Sequence, residues 1–425
     1  MTAHSLSQVD VVLDLERLGG PQRMGVLPRQ IARSGDVYSF EFDPAWLART
    51  DSLSLDPDLL AAPGRNYPPA NRSQFGVFMD SAPDRWGRML MQRREALQAT
   101  QGKRRARALN EWDYLLAVHD YSRLGALRFR ADTSSPYLDN SLVNAAPPLT
   151  SLRELQGAAH DLEDDRDTSP AHLRFVLDQL LAPGSSLGGS RPKASVVDEQ
   201  GRLCIAKFPS RQDQWDVGAW ELIAHRLAER AGIHVPPARA LKLSPEGHTF
   251  LSQRFDRTAT GGRLAFVSAM TFLQRIDGEA GASYLELIDL LQSRGAQTLP
   301  DSEQLFRRVV FSICISNTDD HLRNHGFLVD VSGLALSPAF DVNPNPHRGQ
   351  LCLAIDEVNA TLDLDVALAA AKFYGLKLER ARQIIEHVQQ AVEHWLSEAR
   401  TLGVSRREQE LMRDAFAAAG TTMKK

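Results

Sequence analysis

Asp319, His321 and Asn324 fall in the run Ser316-Asn317-Thr318-Asp319-Asp320-His321-Leu322-Arg323-Asn324-His325-Gly326. Phosphoryl transfer asks a protein for such groups. One carboxylate orients the attacking hydroxyl and accepts its proton; an asparagine and a second carboxylate hold Mg²⁺ against the nucleotide phosphates. In protein kinases the aspartate and the asparagine stand five residues apart on one loop, and the metal aspartate comes from a later strand. Here Asn324 follows Asp319 by 5 residues, and Asp341, in Phe340-Asp341-Val342, follows it by 22. The spacing suits Asp319 as the catalytic acid–base group, with His321 beside it, and Asn324 and Asp341 as metal ligands. The same residues also suit a plain polar turn behind a helix, with an aspartate capping it, so the motif needs support from the elements around it.

Those elements are legible. The apolar run at 305–315 predicts a buried helix, and 327–329 predicts a strand. The acidic loop is therefore held between two rigid pieces, where reactive groups are usually presented. A hairpin after 327 would bring Asp341 back towards Asp319. Further upstream, 183–193 is glycine-rich and runs into a strand. Backbone N–H groups at Gly188, Gly189 and Ser190 could approach phosphates, because glycine puts no Cβ in the way, and Lys193 would add charge. A flexible hairpin turn reads equally well from the same residues. The strand at 203–209 carries one lysine, Lys207, among apolar neighbours, an arrangement that favours an anionic partner. The next helix, at 216–232, carries Glu221, as a kinase helix carries the glutamate that holds such a lysine. An edge-strand lysine reaching water is the alternative. Strands at 238–243 and 249–255 lead into Gln253-Arg254-Phe255-Asp256. From 268 onward the pattern is helical: 283–293, 301–315, 364–373, 378–399 and 406–417.

The N-terminal part differs. Strands are expected at 11–15, 24–27, 36–42 and 125–129. A short helix begins at Pro44, where proline's fixed φ suits the first turn; longer helices follow at 84–98, 110–120, 151–162 and 171–181. Sequence rich in Asn, Ser and Pro at 131–150 reads as a linker. The expected fold class is α+β, a β-rich N-terminal subdomain plus a kinase-like two-lobed core with a mainly helical C-terminal lobe. The expected divisions are 1–145, 146–265 and 266–425.

Composition narrows the function classes. The chain has 425 residues, 43% hydrophobic and 24% charged, with a net charge of −4. Such a balance excludes a free-standing nucleic-acid binder, although the basic run at 103–107 is a candidate local contact. The three cysteines, Cys204, Cys314 and Cys352, are far apart and set in apolar sequence, as buried thiols in a reducing compartment would be. No secretory signal and no membrane-spanning run is visible, so a cytoplasmic protein is expected.

The ordered set of glycine-rich loop, strand lysine, helix glutamate, hinge, T-D-x-H-x-x-N loop and F-D-V acid resembles the HipA family of serine/threonine kinases, toxins of bacterial HipBA-type toxin–antitoxin systems. The resemblance spans nearly the whole chain. It is most specific in Asn317-Thr318-Asp319-Asp320-His321-Leu322-Arg323-Asn324-His325-Gly326-Phe327, and next in Phe340-Asp341-Val342-Asn343-Pro344. Gly189-Ser190-Arg191-Pro192-Lys193 is similar to the family's nucleotide loop, and Ile205-Ala206-Lys207-Phe208-Pro209 to its lysine strand. Ser39 to Leu47 resembles its N-terminal domain. The resemblance implies ATP and Mg²⁺ as cofactors. It implies Asp319 as catalytic aspartate, Asn324 and Asp341 on the metal, and Lys207 on the ATP phosphates. Gln253 to Phe255 would be the adenine hinge, and Asp256 would meet the ribose. Ser186 falls where the family has its autophosphorylated serine, with Ser185 and Ser190 as neighbours, and phosphate there would repel ATP. The implied partners are a helix-turn-helix antitoxin (HipB-like), operator DNA mainly through that antitoxin, and a protein substrate in translation such as an aminoacyl-tRNA synthetase. A small-molecule kinase of related fold and a catalytically weak co-repressor are the rival readings.

Overall fold

The computed structural model describes residues 5–32, 35–141, 146–163, 169–181, 189–347 and 349–421. Contacts gather the chain into two units: 1–211 with 256–267, and 212–255 with 268–425. The packing therefore changes unit at 211, 255 and 267.

In the first unit an antiparallel sheet runs in the order Arg65–Asn66, Phe40–Phe42, Gly20–Ala32, Gln8–Leu15, Leu127–Arg130, with Gly35–Tyr38 pairing the far end of Gly20–Ala32. Gln8–Leu15 is paired on both edges, and Val9, Val11, Val12 and Leu13 are at most 1% exposed, so this strand lies in the core. Gly20–Ala32 extends well beyond the expected 24–27, because pairing along its whole length overrides the weak local signal at Pro21 and Pro28. Gly25 is required where this strand meets Phe40–Phe42: a Cβ there would stand 2.2 Å from the Glu41 carbonyl. Phe40, Phe42, Phe75, Phe78 and Phe129 form one ring cluster over the sheet, in edge-on and tilted contacts. Asp43 caps the short helix Pro44–Leu47, accepting from Ala45 N–H, and Pro44 takes the first turn as its sequence predicts.

The helix expected at 110–120 stops at Leu116. Beyond it, the fully buried Arg123 ties the turn down, donating to the carbonyls of Leu115, Val118 and Ser81. The basic run at 103–107 is exposed, but Arg104 pairs with Glu95 and Arg107 with Asp113, each at 2.6 Å, so part of its charge is used locally. The hairpin Lys193–Val197 with Leu203–Lys207 also belongs to this unit, in the register Lys193 opposite Lys207. So does 256–267, which the sequence places with a kinase lobe. Arg263 donates to the carbonyls of Arg123 and Gly125, and its partner acids are Asp14 and Asp120.

In the second unit Val217–Arg230 packs on the hairpin Ala238–Ser244 with Gly247–Gln253. The contact is close enough that a Cβ on Gly218 would stand 2.0 Å from the His248 carbonyl. Asp216 caps this helix through Ala219 N–H and also takes His248 Nδ1 at 2.5 Å, which joins helix start to hairpin. The remainder is mainly helical around Thr298–Cys314, which is largely buried from Ser302 on, with one hairpin, Gly326–Asp330 with Gly333–Leu336. The single helix expected at 378–399 is two, Leu378–Val392 and Trp395–Thr401. The break turns Trp395 onto Phe416, stacked at 4.7 Å, with Trp220 tilted against both rings. That packing outweighs an apolar periodicity which reads straight through. No helix among the described residues is long and apolar enough to cross a membrane.

Candidate active site

The site is built on the end of Thr298–Cys314 and on the hairpin that follows. The helix closes with Ile315 N–H on Phe311 O, and the chain then turns sharply at Ser316, whose φ is 52°. A non-glycine residue in the left-handed region is uncommon and must be held by its surroundings. Ser316 is held by its Oγ, which donates to Ala415 O at 2.9 Å. Asn317 N–H returns to Ser312 O, and the loop continues to the short helical turn Leu322–Asn324. Gly326–Asp330 then pairs with Gly333–Leu336 in the register Phe327 opposite Leu336, the hairpin that the chain needs to return Asp341.

Within this loop the two adjacent aspartates part company. Asp319 is exposed, and Asp320 is 5% exposed. Asn324 is buried and donates Nδ2 to the backbone carbonyl of Asp319 at 3.1 Å, so these two residues are fixed to each other. Asp341 has φ 56°, a conformation aspartate tolerates better than most residues. Asn343 Nδ2 donates to its Oδ1 at 3.3 Å. The residues on either side of Asp341, Phe340 and Val342, line the same pocket as Asn324. Phe340 also meets Phe255 at 5.4 Å, which sets the end of the expected hinge against the Asp341 segment. Asn345 Nδ2 reaches Thr318 Oγ1 at 2.6 Å, a second tie between the two segments. His321 is half-buried, and its Nδ1 has no hydrogen-bond partner among the described residues.

The buried Asp320 is missing from the sequence reading. Tyr284 Oη donates to its Oδ2 at 2.6 Å and Ser312 Oγ at 3.2 Å, while His325 Nε2 lies 2.9 Å from Oδ1. Burial works to raise this carboxyl. The His325 ring and the two hydroxyls outweigh it and hold Asp320 below the usual carboxylate range. Tyr284 is pushed well above its ordinary value, by burial first and then by the Asp320 charge. Arg308, on the turn of helix below, is brought down to about 10 by burial, with Asp320 and Asp301 opposing, and stays charged at neutral pH. The signals for this group were the doubled aspartate and an arginine pair inside an apolar helix.

The donor set fits Mg²⁺. Asn324 and Asp341 offer oxygen ligands, and this ion takes one or two protein oxygens and completes its shell with phosphates and water. No group of three or more His, Cys, Asp or Glu able to hold a metal occurs among the described residues.

Of the other expected site residues, Gln253 and Phe255 lie in the second unit, and the rest lie in the first unit or outside the described residues. Gly188, Ser185 and Ser186 are outside them. Gly189 has φ 90°, and a Cβ there would stand 3.1 Å from Lys193 Nζ; Ser190 is exposed. Lys193 is enclosed by the first unit. Its ammonium is buried against Asp84 at 2.9 Å, both side chains 3% exposed, and its carbonyl accepts from Trp86 Nε1. A charge so enclosed is structural. Asp256 is 1% exposed and accepts Gly125 N–H at 2.8 Å and Arg257 Nη1 at 2.7 Å. Lys207 is half-buried at the end of its strand; Glu221, in the second unit, is 3% exposed. Gln253 N–H is taken by Pro237 O, so at that residue the sheet uses the donor expected to meet adenine. Among the cysteines, Cys204 and Cys314 are buried as expected, whereas Cys352 is exposed. The charges of Asp319 and Asp320 add to partial burial in raising its thiol.

Comparison with known proteins agrees with this architecture. Residues 185–396 match the HipA-like C-terminal domain. Toxin YjjJ of Escherichia coli (strain K12) is 27% identical over 232 residues, which cover 50% of this chain and 51% of that protein. The chain thus spans about half the length of that relative. A putative kinase of Haemophilus influenzae is 24% identical over 240 residues, 48% of this chain and 69% of that protein. Among solved structures, a chain of the Shewanella oneidensis MR-1 toxin–antitoxin complex of HipA, HipB and operator DNA superposes with a TM-score of 0.68. That match covers 97% of this chain and 95% of that one at 16% identity, which shows a shared α+β fold. With the domain match, the relatives and the fold in agreement, the chain belongs to the HipA family.

Proposed function

We propose that this protein is an ATP- and Mg²⁺-dependent serine/threonine kinase, the cytoplasmic toxin of a toxin–antitoxin pair. One observation carries the reading: an exposed Asp319 whose carbonyl anchors the buried Asn324 amide, with the Asp341 segment folded back onto the same pocket. Asp319 would align the substrate hydroxyl for in-line attack and take its proton. Asn324 and Asp341 would hold Mg²⁺, whose charge would offset that of the phosphates. Lys207, by resemblance, would contact the phosphates from its strand. The protein's share of such a reaction is mostly orientation and fixed charge.

A helix-turn-helix antitoxin is the partner the family suggests, and the Shewanella relative was solved with HipB and operator DNA. The substrate would be a protein of translation such as an aminoacyl-tRNA synthetase, and phosphorylation of Ser186 would shut the enzyme off. The test is purified protein with labelled ATP and Mg²⁺, alone and with cell lysate, beside Asp319→Gln. Transfer to protein by the wild type and none by the variant is expected. Transfer only to small molecules would favour a related small-molecule kinase. No ATP binding together with tight operator binding in the presence of the antitoxin would favour a co-repressor.

A further inference from the structure

The pocket beneath the acidic loop is polar on one side and apolar on the other. Arg308, Ser312, Asn317, Asp320, Asn324 and His325 face it, with Phe311 and Ala339 among the apolar neighbours. Arg308 is 5% exposed and His325 2%. Arg308 donates Nη2 to Ser337 O, while its Nε and Nη1 have no hydrogen-bond partner among the described residues. Among the described residues His325 Nδ1 has none either, while its Nε2 lies 2.9 Å from Asp320 Oδ1. Buried donors left unmade are costly, about 1–3 kcal/mol each, and in folded proteins an ordered guest usually satisfies them.

Size and charge say which guest. The space open to the centre of a water-sized sphere is about 20 Å³. One water needs roughly 10–15 Å³ by that measure, and a phosphate would not fit. The charges of Asp320 and Asp301 already act on the Arg308 cation, so the guest need carry no charge. It must accept from the guanidinium and can donate to the oxygens opposite, which is what water does.

We propose that this pocket is a site for one bound water molecule, and that Arg308 and Tyr284 are positioning residues, holding the loop through that water and through Asp320. Neither touches a reacting group. Both act on the segment that carries Asp319 and Asn324, and the consequence for catalysis rests on the kinase reading above. The water itself does not.

Two measurements test this on the full-length protein. A high-resolution crystal structure, native and soaked in bromide, should show one water-sized peak within hydrogen-bonding distance of Arg308. An empty pocket or an anomalous bromide peak would overturn the water site. Kinetics of Arg308→Met and Tyr284→Phe should then show kcat reduced roughly tenfold to a hundredfold, as a loop displaced by about 1 Å would give. KM for ATP should stay within about twofold, and Arg308→Lys should recover part of the loss. If Arg308→Met does not fold, Tyr284→Phe, which removes a single hydroxyl, carries the test. Variants with wild-type kcat beside an inactive Asp319→Gln would overturn the positioning role. A wild type that transfers no phosphate would instead refute the kinase reading and leave the pocket to the diffraction result.

Discussion

Replacing Asp84 by alanine separates a structural lysine from a nucleotide-binding one. Lys193 and Asp84 are each 3% exposed at the side chain and meet at 2.9 Å. Asp84 also caps Arg85–Gln101, its Oδ1 accepting Gly87 N–H at 2.8 Å. Taking one partner from a buried pair leaves a charge with neither water nor counter-ion, a loss of about 3–5 kcal/mol, and removing the cap adds about 1. A loss of about 4–6 kcal/mol in a unit of this size lowers its melting temperature by roughly 10–20 °C. Scanning calorimetry of wild type and Asp84→Ala measures it. The double variant Asp84→Leu/Lys193→Met should recover most of the loss, since replacing both charges removes the desolvation cost together with the attraction. The reasoning is refuted if Asp84→Ala melts with the wild type, or if Lys193→Met keeps full stability while losing affinity for ATP. That second result would make Lys193 a phosphate ligand after all.

Asp56 predicts a pH effect. It is fully buried and raised to about 6, by burial first, against the N–H bonds from Val77 and Asp58. A carboxyl raised on folding favours the native state below its unfolded value, and that contribution is lost as pH climbs through about 6. Denaturant unfolding should therefore show stability falling between about pH 4 and 6, by at most about 3 kcal/mol, and Asp56→Asn should flatten the slope. Gly218→Ala sets a Cβ 2.0 Å from the His248 carbonyl and should cost at least about 1–3 kcal/mol or prevent folding; normal expression and melting would contradict the packing. A thiol reagent should label Cys352 alone in the native protein and all three cysteines in denaturant. Prompt native labelling of Cys204 or Cys314 would show that the two cores open.

What was legible in the sequence, and what was not, follows from where the determining forces lie. The acidic loop, the helix before it and the returning hairpin are local in sequence, and so was Pro44 behind its Asp43 cap. Their signals stand within a few residues of the structure they make. Lys193, Asp256 and the break at 393–394 depended instead on partners far along the chain: Asp84, Gly125 and Phe416. No periodicity can point to those. Asp319 and Asp320 show the limit most sharply. Both are aspartates in one polar loop, and no propensity separates them. What separates them is the left-handed turn at Ser316, held by Ala415 O, together with Tyr284 waiting in the core to receive the second acid. Under the proposed kinase reading, the loop needs one carboxylate in reach of a substrate and has no use for two competing there. Burying Asp320 under Tyr284, Ser312 and His325 removes the competitor and turns its charge into the anchor that holds Asp319 outward.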